Sequence, residues 1–344
     1  MMKKFIKAVS VLTAAFLFAG SLAACSGEPS ESTASQNTTG SASGEEPIKV
    51  ALVAWNPCMY LALAEELGYF EDAGVNVELV DFASYTDVPT AFNAGELDGA
   101  FFSSFETIAP YSMGLDLDVV AIADKSVGAD ALVAAKGYDT IESLKGKNIG
   151  VGLDTISHIY LTLLLEQNGY DIDDFNLVNL GPSEVAPALL SGQIDAATTF
   201  EPFVSIITSS GDGSHIVTDT SDTPDLVNDC IAFSGTVCEE RSDDVAKIMK
   251  CWFDAIDYYD NHQQEAAEIM AKRLETSPED FIATMDKLQM LSAEETDAML
   301  TSGEWTATMQ DICSFLLERG MIDNEVDMSG IVNAEIVEKA MSME

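Results

Sequence analysis

Two short runs carry side chains suited to recognition chemistry. Ser103 and Ser104 close the run GAFF, and Thr198 and Thr199 close the run DAA. Hydroxyls both donate and accept hydrogen bonds, so a pair at one spot can hold a small polar molecule. Each run follows a Gly-x-x-Asp: Gly95 to Asp98 in residues 91–106, and Gly192 to Asp195 in residues 188–203. The amphipathic stretch before each glycine reads as a helix, which the glycine ends in the left-handed conformation. The small residues after each aspartate suit a strand covered by helices on both faces. Glu201-Pro202 fits a helix entry with Pro in the first turn. In open parallel sheets ligands bind outside the carboxyl ends of strands. Two such units therefore predict two similar α/β lobes facing one cleft.

Other residues fall at the same kind of position. Trp55 and Asn56 end the first predicted strand, and Ser84 and Tyr85 sit near the tip of the loop after the second. Thr155, Ser157 and His158 open a helix, Glu201 follows Thr199, and Asp130 marks the crossing between lobes. An aromatic at a strand end is a common ligand platform. The ordinary alternatives are helix caps for Ser103, Ser104 and Thr155, and a helix-dipole role for Glu201. There is no Ser-His-Asp order, HExxH, Walker loop or GxGxxG in context, so no catalytic residue, metal or cofactor is expected.

The elements that must position these residues follow from the chain as a whole. Its 344 residues suffice for about two domains. Asp and Glu number 58 against 16 Lys and Arg, giving a net charge of −42. That balance argues against nucleic acid and against lying on an anionic membrane. Lys3, Lys4 and Lys7 precede an apolar run and then Leu22-Ala23-Ala24-Cys25. Residues 1–24 read as a signal peptide, and Cys25 matches a lipobox, the site of lipid attachment in bacterial lipoproteins. Residues 25–47, rich in Ser, Thr, Gly and Glu, read as a flexible tether. With Cys25 lipidated, Cys58, Cys230, Cys238, Cys251 and Cys313 are left. None forms a C-x-x-C pair, and buried apolar thiols are the simplest reading.

Strands are predicted at 49–54, 75–80, 118–123 and 129–135, the last crossing into a second lobe. The plan then repeats, with strands at 147–152, 176–180, 215–218 and 230–237. From 241 onward the pattern is helical to the end. Residues 48–130 and 234–344 are assigned to lobe 1 and residues 131–233 to lobe 2.

Three stretches, residues 61–80, 91–100 and 141–153 with 191–203, together resemble periplasmic solute-binding proteins of the nitrate, sulfonate and taurine transporter type and their thiamine-pyrimidine relatives. The likeness covers residues 48 to about 202. It implies the type II periplasmic-binding-protein fold, with two α/β lobes, a hinge and a ligand closed between them. It also implies an extracytoplasmic monomer that passes its cargo to an ABC permease and ATPase, and Cys25 with the tether independently suggests a lipid anchor. Two rivals stand beside this reading. One eukaryotic relative is a pyrimidine synthase with a cysteine-rich motif, of which this chain has only Cys58 in the matching region. A sensor or adhesin on the same fold is the other.

The named loops hold no Arg or Lys, with Lys125 nearest in sequence, while Asp130 and Glu201 are carboxylates. Buried carboxylates need donors. A small zwitterion, such as an aminosulfonate, or an amine-bearing pyrimidine fits that combination better than bare nitrate.

Overall fold

A computed structural model of the chain describes residues 46–82, 87–153, 155–223 and 226–343. The leader, Cys25 and the tether, as well as Ser84 and Tyr85, lie outside the described residues.

The chain begins with β1 (Ile48–Leu52), α1 (Met59–Glu66), α2 (Tyr69–Asp72), β2 (Val77–Asp81), α3 (Val88–Asn93), β3 (Gly99–Ser103), α4 (Ile108–Ser112) and β4 (Asp118–Ser126). A second series follows: β5 (Asp130–Ala134), β6 (Asn148–Val151), α5 (Ile156–Gln167), β7 (Asn176–Asn179), α6 (Pro182–Leu190), β8 (Ala196–Phe200), α7 (Phe203–Thr208) and β9 (His215–Asp219). The chain then returns through β10 (Asn228–Phe233), α8 (Gly235–Glu240), α9 (Ser242–Asn261), α10 (Gln263–Arg273) and α11 (Pro278–Met285). It finishes with β11 (Leu288–Met290), α12 (Ala293–Ser302), α13 (Glu304–Glu318) and α14 (Glu335–Met341).

Two sheets result. The first has the order β11-β4-β10-β3-β1-β2 and the second the order β7-β6-β8-β5-β9. Each is parallel at one side, where βαβ crossovers build it, and antiparallel at the other. β3 and β5 are buried along their whole length, as their small and apolar residues require. Apolar clusters cover both faces of each sheet. In α9 the buried Val245, Ile248, Met249, Trp252, Ala255, Ile256 and Tyr259 recur at three- and four-residue steps, so one stripe of the helix faces the core.

The two Gly-x-x-Asp units are equivalent in structure. Gly95 and Gly192 take φ of 72° and 74°, the left-handed helix end the sequence predicts. Asp98 Oδ2 accepts from Lys49 N at 2.8 Å, and Asp195 Oδ2 accepts from Asn148 N at 3.0 Å. Each aspartate thus ties the amino end of one strand to that of its neighbour, at the edge opposite the hydroxyl loops.

The structure corrects several expectations. The strand predicted to run to 237 stops at Phe233, because Ser234 accepts from Val237 N and caps α8. Since β10 lies between β3 and β4, residues 228–233 join the first sheet, and the lobe boundary placed after 233 moves to before Asn228. Asp130 opens β5 of the second sheet instead of ending the first lobe. The tail is not wholly helical. The helical pattern expected from 241 onward breaks after Met285, where β11 extends the sheet edge against residues 124–126 of β4. Pro202 stands at the N-cap of α7, after a cis peptide, and not in the first turn.

Candidate functional site

β8 and β3 run toward a common region between the sheets, and the antiparallel strands bring their amino ends to the same place. Asp229 at the start of β10 pairs in register with Ser103 at the end of β3 and with Asp124 near the end of β4. Cross-strand partners share one face with Cβ atoms about 4.5–5.5 Å apart, so these three side chains form a row. In the second sheet Asp130 pairs with Phe200. Trp55 joins the two halves. Its indole N–H donates to Asp229 Oδ2 at 2.7 Å, and its ring meets Phe200 edge-on at 5.9 Å between centroids. Trp55 therefore stands where the sequence places it.

Burial sets the electrostatics of this row. Burial pushes the Asp229 carboxyl up to about 8, and the neighbouring Asp130 adds to the push, while the Trp55 N–H opposes it. Burial, then Asp229 and Asp130, holds Asp124 well above the carboxylate range. Asp130 is raised to about 6, by burial first and with a contribution from Glu201. Asp124 Oδ2 and Ser103 Oγ are buried without a hydrogen-bond partner among the described residues.

The other expected residues separate into those near this row and those committed elsewhere. Ser104 Oγ donates to Asn228 Oδ1 at 2.5 Å, and Trp305 Nε1 donates to the same oxygen at 3.0 Å. Ser104 is thus a buried strut under the strand ends. Asn56 donates to the Phe281 carbonyl at 3.2 Å. Glu201, 1% exposed, accepts from Ser205 N and Ser205 Oγ and pairs with Lys287. Lys287 lies just before β11, far away in sequence, and so the cleft region does contain a lysine. Thr155 is the N-cap residue of α5, but its hydroxyl donates to the Gly152 carbonyl at 2.7 Å and caps nothing. The Thr155 carbonyl accepts from His158 N at 3.0 Å and from Ile159 N at 3.1 Å, and Ser157 beside them is buried. The His158 carbonyl accepts from Thr162, and the ring is half-buried. Thr199 Oγ1 is buried and has no hydrogen-bond partner among the described residues, but its pairing partner Ala131 packs in the cluster under α6 and α7. Thr198, one residue earlier, alternates onto the face of Phe200 and Asp130.

Sequence reasoning missed Asp124, Asp229 and Lys287. The first two carried a signal: each is a carboxylate directly abutting a buried apolar strand. Lys287 carried none, because its role depends on β11 docking beside β4. All five cysteines in the described residues are buried and free. A separate depression of about 640 Å³, lined by residues such as Tyr60, Lys250, Asp254 and Met285, lies on the helical face of the first lobe and includes none of these groups.

The family model described as NMT1/THI5 like matches residues 56–266, more than half of the chain. The chain belongs to the NMT1/THI5-like family. This NMT1/THI5-like chain is 26% identical over 291 residues to a protein of Bacillus subtilis (strain 168) carried under the name of an aliphatic sulfonates-binding protein, a match covering 82% of this chain and 84% of the other. It is 26% identical over 155 residues to the 4-amino-5-hydroxymethyl-2-methylpyrimidine phosphate synthase THI13 of Saccharomyces cerevisiae (strain ATCC 204508 / S288c), covering 44% of this chain and 45% of the synthase. Among solved structures, the periplasmic aliphatic sulphonate binding protein SsuA from Escherichia coli superposes with a TM-score of 0.73 at 18% identity, covering 86% of this chain and all of that one. The two α/β lobes of this NMT1/THI5-like protein thus form the periplasmic-binding-protein fold expected from its sequence.

Proposed function

We propose that this protein is an extracytoplasmic solute receptor, the substrate-binding component of an ABC importer. It captures a small organic sulfur- or nitrogen-containing molecule between its lobes and delivers it to a permease. The observation that carries this reading is the junction of Trp55, Asp229 and Phe200, where groups from both sheets meet at strand ends lined with buried, unpartnered polar atoms. Its relatives at high coverage of both chains are named as binding proteins, whereas the match to the synthase covers less than half. Turnover finds little support in the residues. Cys58 is fully buried and its thiol is pushed up by that burial, the reverse of an activated nucleophile. The binding residues proposed are Trp55, Ser103, Asp130, Ser157 and His158, with Ser84 and Tyr85 as the sequence suggests. Anchoring through a lipid on Cys25 agrees with the leader and tether in the sequence.

Native mass spectrometry of the purified protein tests the receptor reading. A retained small molecule of unchanged structure after incubation is the expected result. Small-angle scattering of the stripped protein should then show compaction on adding it back. Chemical conversion of the bound molecule would replace the receptor by an enzyme.

A further inference from the structure

Asp124, Asp130 and Asp229 come from three strands of two sheets, yet each is within electrostatic reach of another. Asp124 and Asp229 are directly opposed on β4 and β10. Like charges in that position destabilise a sheet, and burial enlarges the penalty. Among the described residues, few groups offset it. Lys287 is engaged by Glu201. Lys125 follows Asp124 in the strand and by alternation belongs to the other face. The Trp55 N–H serves one oxygen of Asp229.

A second observation is independent of the carboxylates. Ser103, 7% exposed, pairs in register with Asp229 and has a buried hydroxyl without a partner. It sits on the same face as Asp229, aimed at the same space. A buried hydroxyl left unpaired is costly, so this row is built for a molecule that brings hydrogen-bonding groups. Metal is a poor fit: among the described residues no three His, Cys, Asp or Glu side chains converge closely enough to hold an ion. The carboxyl groups are spread along a row and flanked by the Trp55 and Phe200 rings, a surface that suits a flat or elongated organic cation.

Building on the solute-receptor reading, we infer that the cargo carries a cationic nitrogen, an ammonium or amidinium group, whose N–H bonds are received by the opposed pair Asp124 and Asp229, with Asp130 adding its charge from the second sheet. Glu201, neutralised by Lys287, takes no part in holding it. A bare sulfonate or nitrate brings no positive charge to balance this row when its carboxyls ionise, so the inferred cargo differs from the anion for which the Bacillus subtilis relative is named.

Calorimetry on the stripped, full-length protein tests this with benzamidinium and n-butylammonium as cationic probes, methanesulfonate and nitrate as anions, and calcium as a metal. The expected result is binding of at least one organic cation, weakened roughly tenfold or more, about 1.4 kcal/mol, by Asp229→Asn and by Asp124→Asn. Both variants should melt higher than the parent in the absence of cargo, which separates a loss of recognition from a loss of folding. Binding of neither cation, binding of calcium in their place, or cation binding indifferent to both substitutions overturns the inference. If methanesulfonate or nitrate binds and compacts the protein while the cations do not, the receptor reading stands and only the cationic cargo falls. If no probe and no retained cellular molecule compacts it, the receptor reading falls as well.

Discussion

Lys287 of the first lobe pairs with Glu201 of the second, whose carboxylate is 1% exposed and also held by Ser205. The pair lies beside the crossing between the lobes: Val127 N donates to the Lys287 carbonyl and Glu201 N to the Ala129 carbonyl. Lys287 keeps about a third of its side chain in water, and Glu201 does not. The two partners are therefore not equivalent.

That asymmetry predicts the outcome of removing each. Lys287→Met leaves a buried carboxylate without its cation and should cost about 2 kcal/mol, below the range for fully buried pairs because Lys287 is partly solvated. Glu201→Gln leaves an ammonium that can turn to water and should cost less. Urea denaturation of both variants and of the double substitution measures this. Equal losses would show that the pair behaves as an ordinary surface bridge.

Asp229 predicts how stability responds to pH. Its carboxyl is pushed up to about 8 by burial and by Asp130 and Glu106, with the Trp55 N–H opposing, and Asp124 faces it across the ladder. Between the unfolded value, about 3.9, and about 8 the folded protein holds a proton that the unfolded chain has lost. Stability without cargo should accordingly fall as pH rises through this window. Asp229→Asn should flatten the slope between pH 6 and 8, as read by melting curves across pH. An unchanged slope would mean that other carboxylates set it.

Two glycines should respond differently to the same substitution. At Gly192, φ of 74° is the only obstacle, since an added Cβ meets nothing within 4 Å, and Gly192→Ala should cost about 1 kcal/mol. At Gly99 an added Cβ falls 2.5 Å from the buried ring of Phe233 on the neighbouring strand. Gly99→Ala should cost about 2–3 kcal/mol by overpacking. Thermal denaturation with the order reversed would contradict this assignment of backbone strain and steric clash.

Attachment is tested on the intact chain. Cys25→Ser should move the protein from the membrane fraction to the medium or periplasm. Retention of the variant in the membrane fraction would remove the lipid anchor from the proposal.

Much of this architecture was legible because it is local. The paired Gly-x-x-Asp units announce themselves through glycine geometry and small-residue strands, and both were found in place. Trp55 was legible as an aromatic just beyond a buried strand. What the sequence hid was long-range. Asp229 gains its meaning from being opposite Asp124 and Ser103, a register set by a chain reversal that no short window contains. Lys287 and β11 were hidden because residues 288–290 are too few to show a period and become a strand only through the free edge of β4. Glu201 and Ser104 were seen as ligand groups, since nothing near them in sequence discloses Lys287 or Asn228.

The aspartate clamps at Asp98 and Asp195 secure the strands from the rim farthest from Trp55 and Asp229. On the proposed function, framework and selectivity would be carried by separate sets of residues. A lineage built on this plan can exchange one class of nutrient for another through a few substitutions at one rim while its scaffold stays intact. Divergent cargo preferences among distant cousins are the natural outcome of such a division of labour.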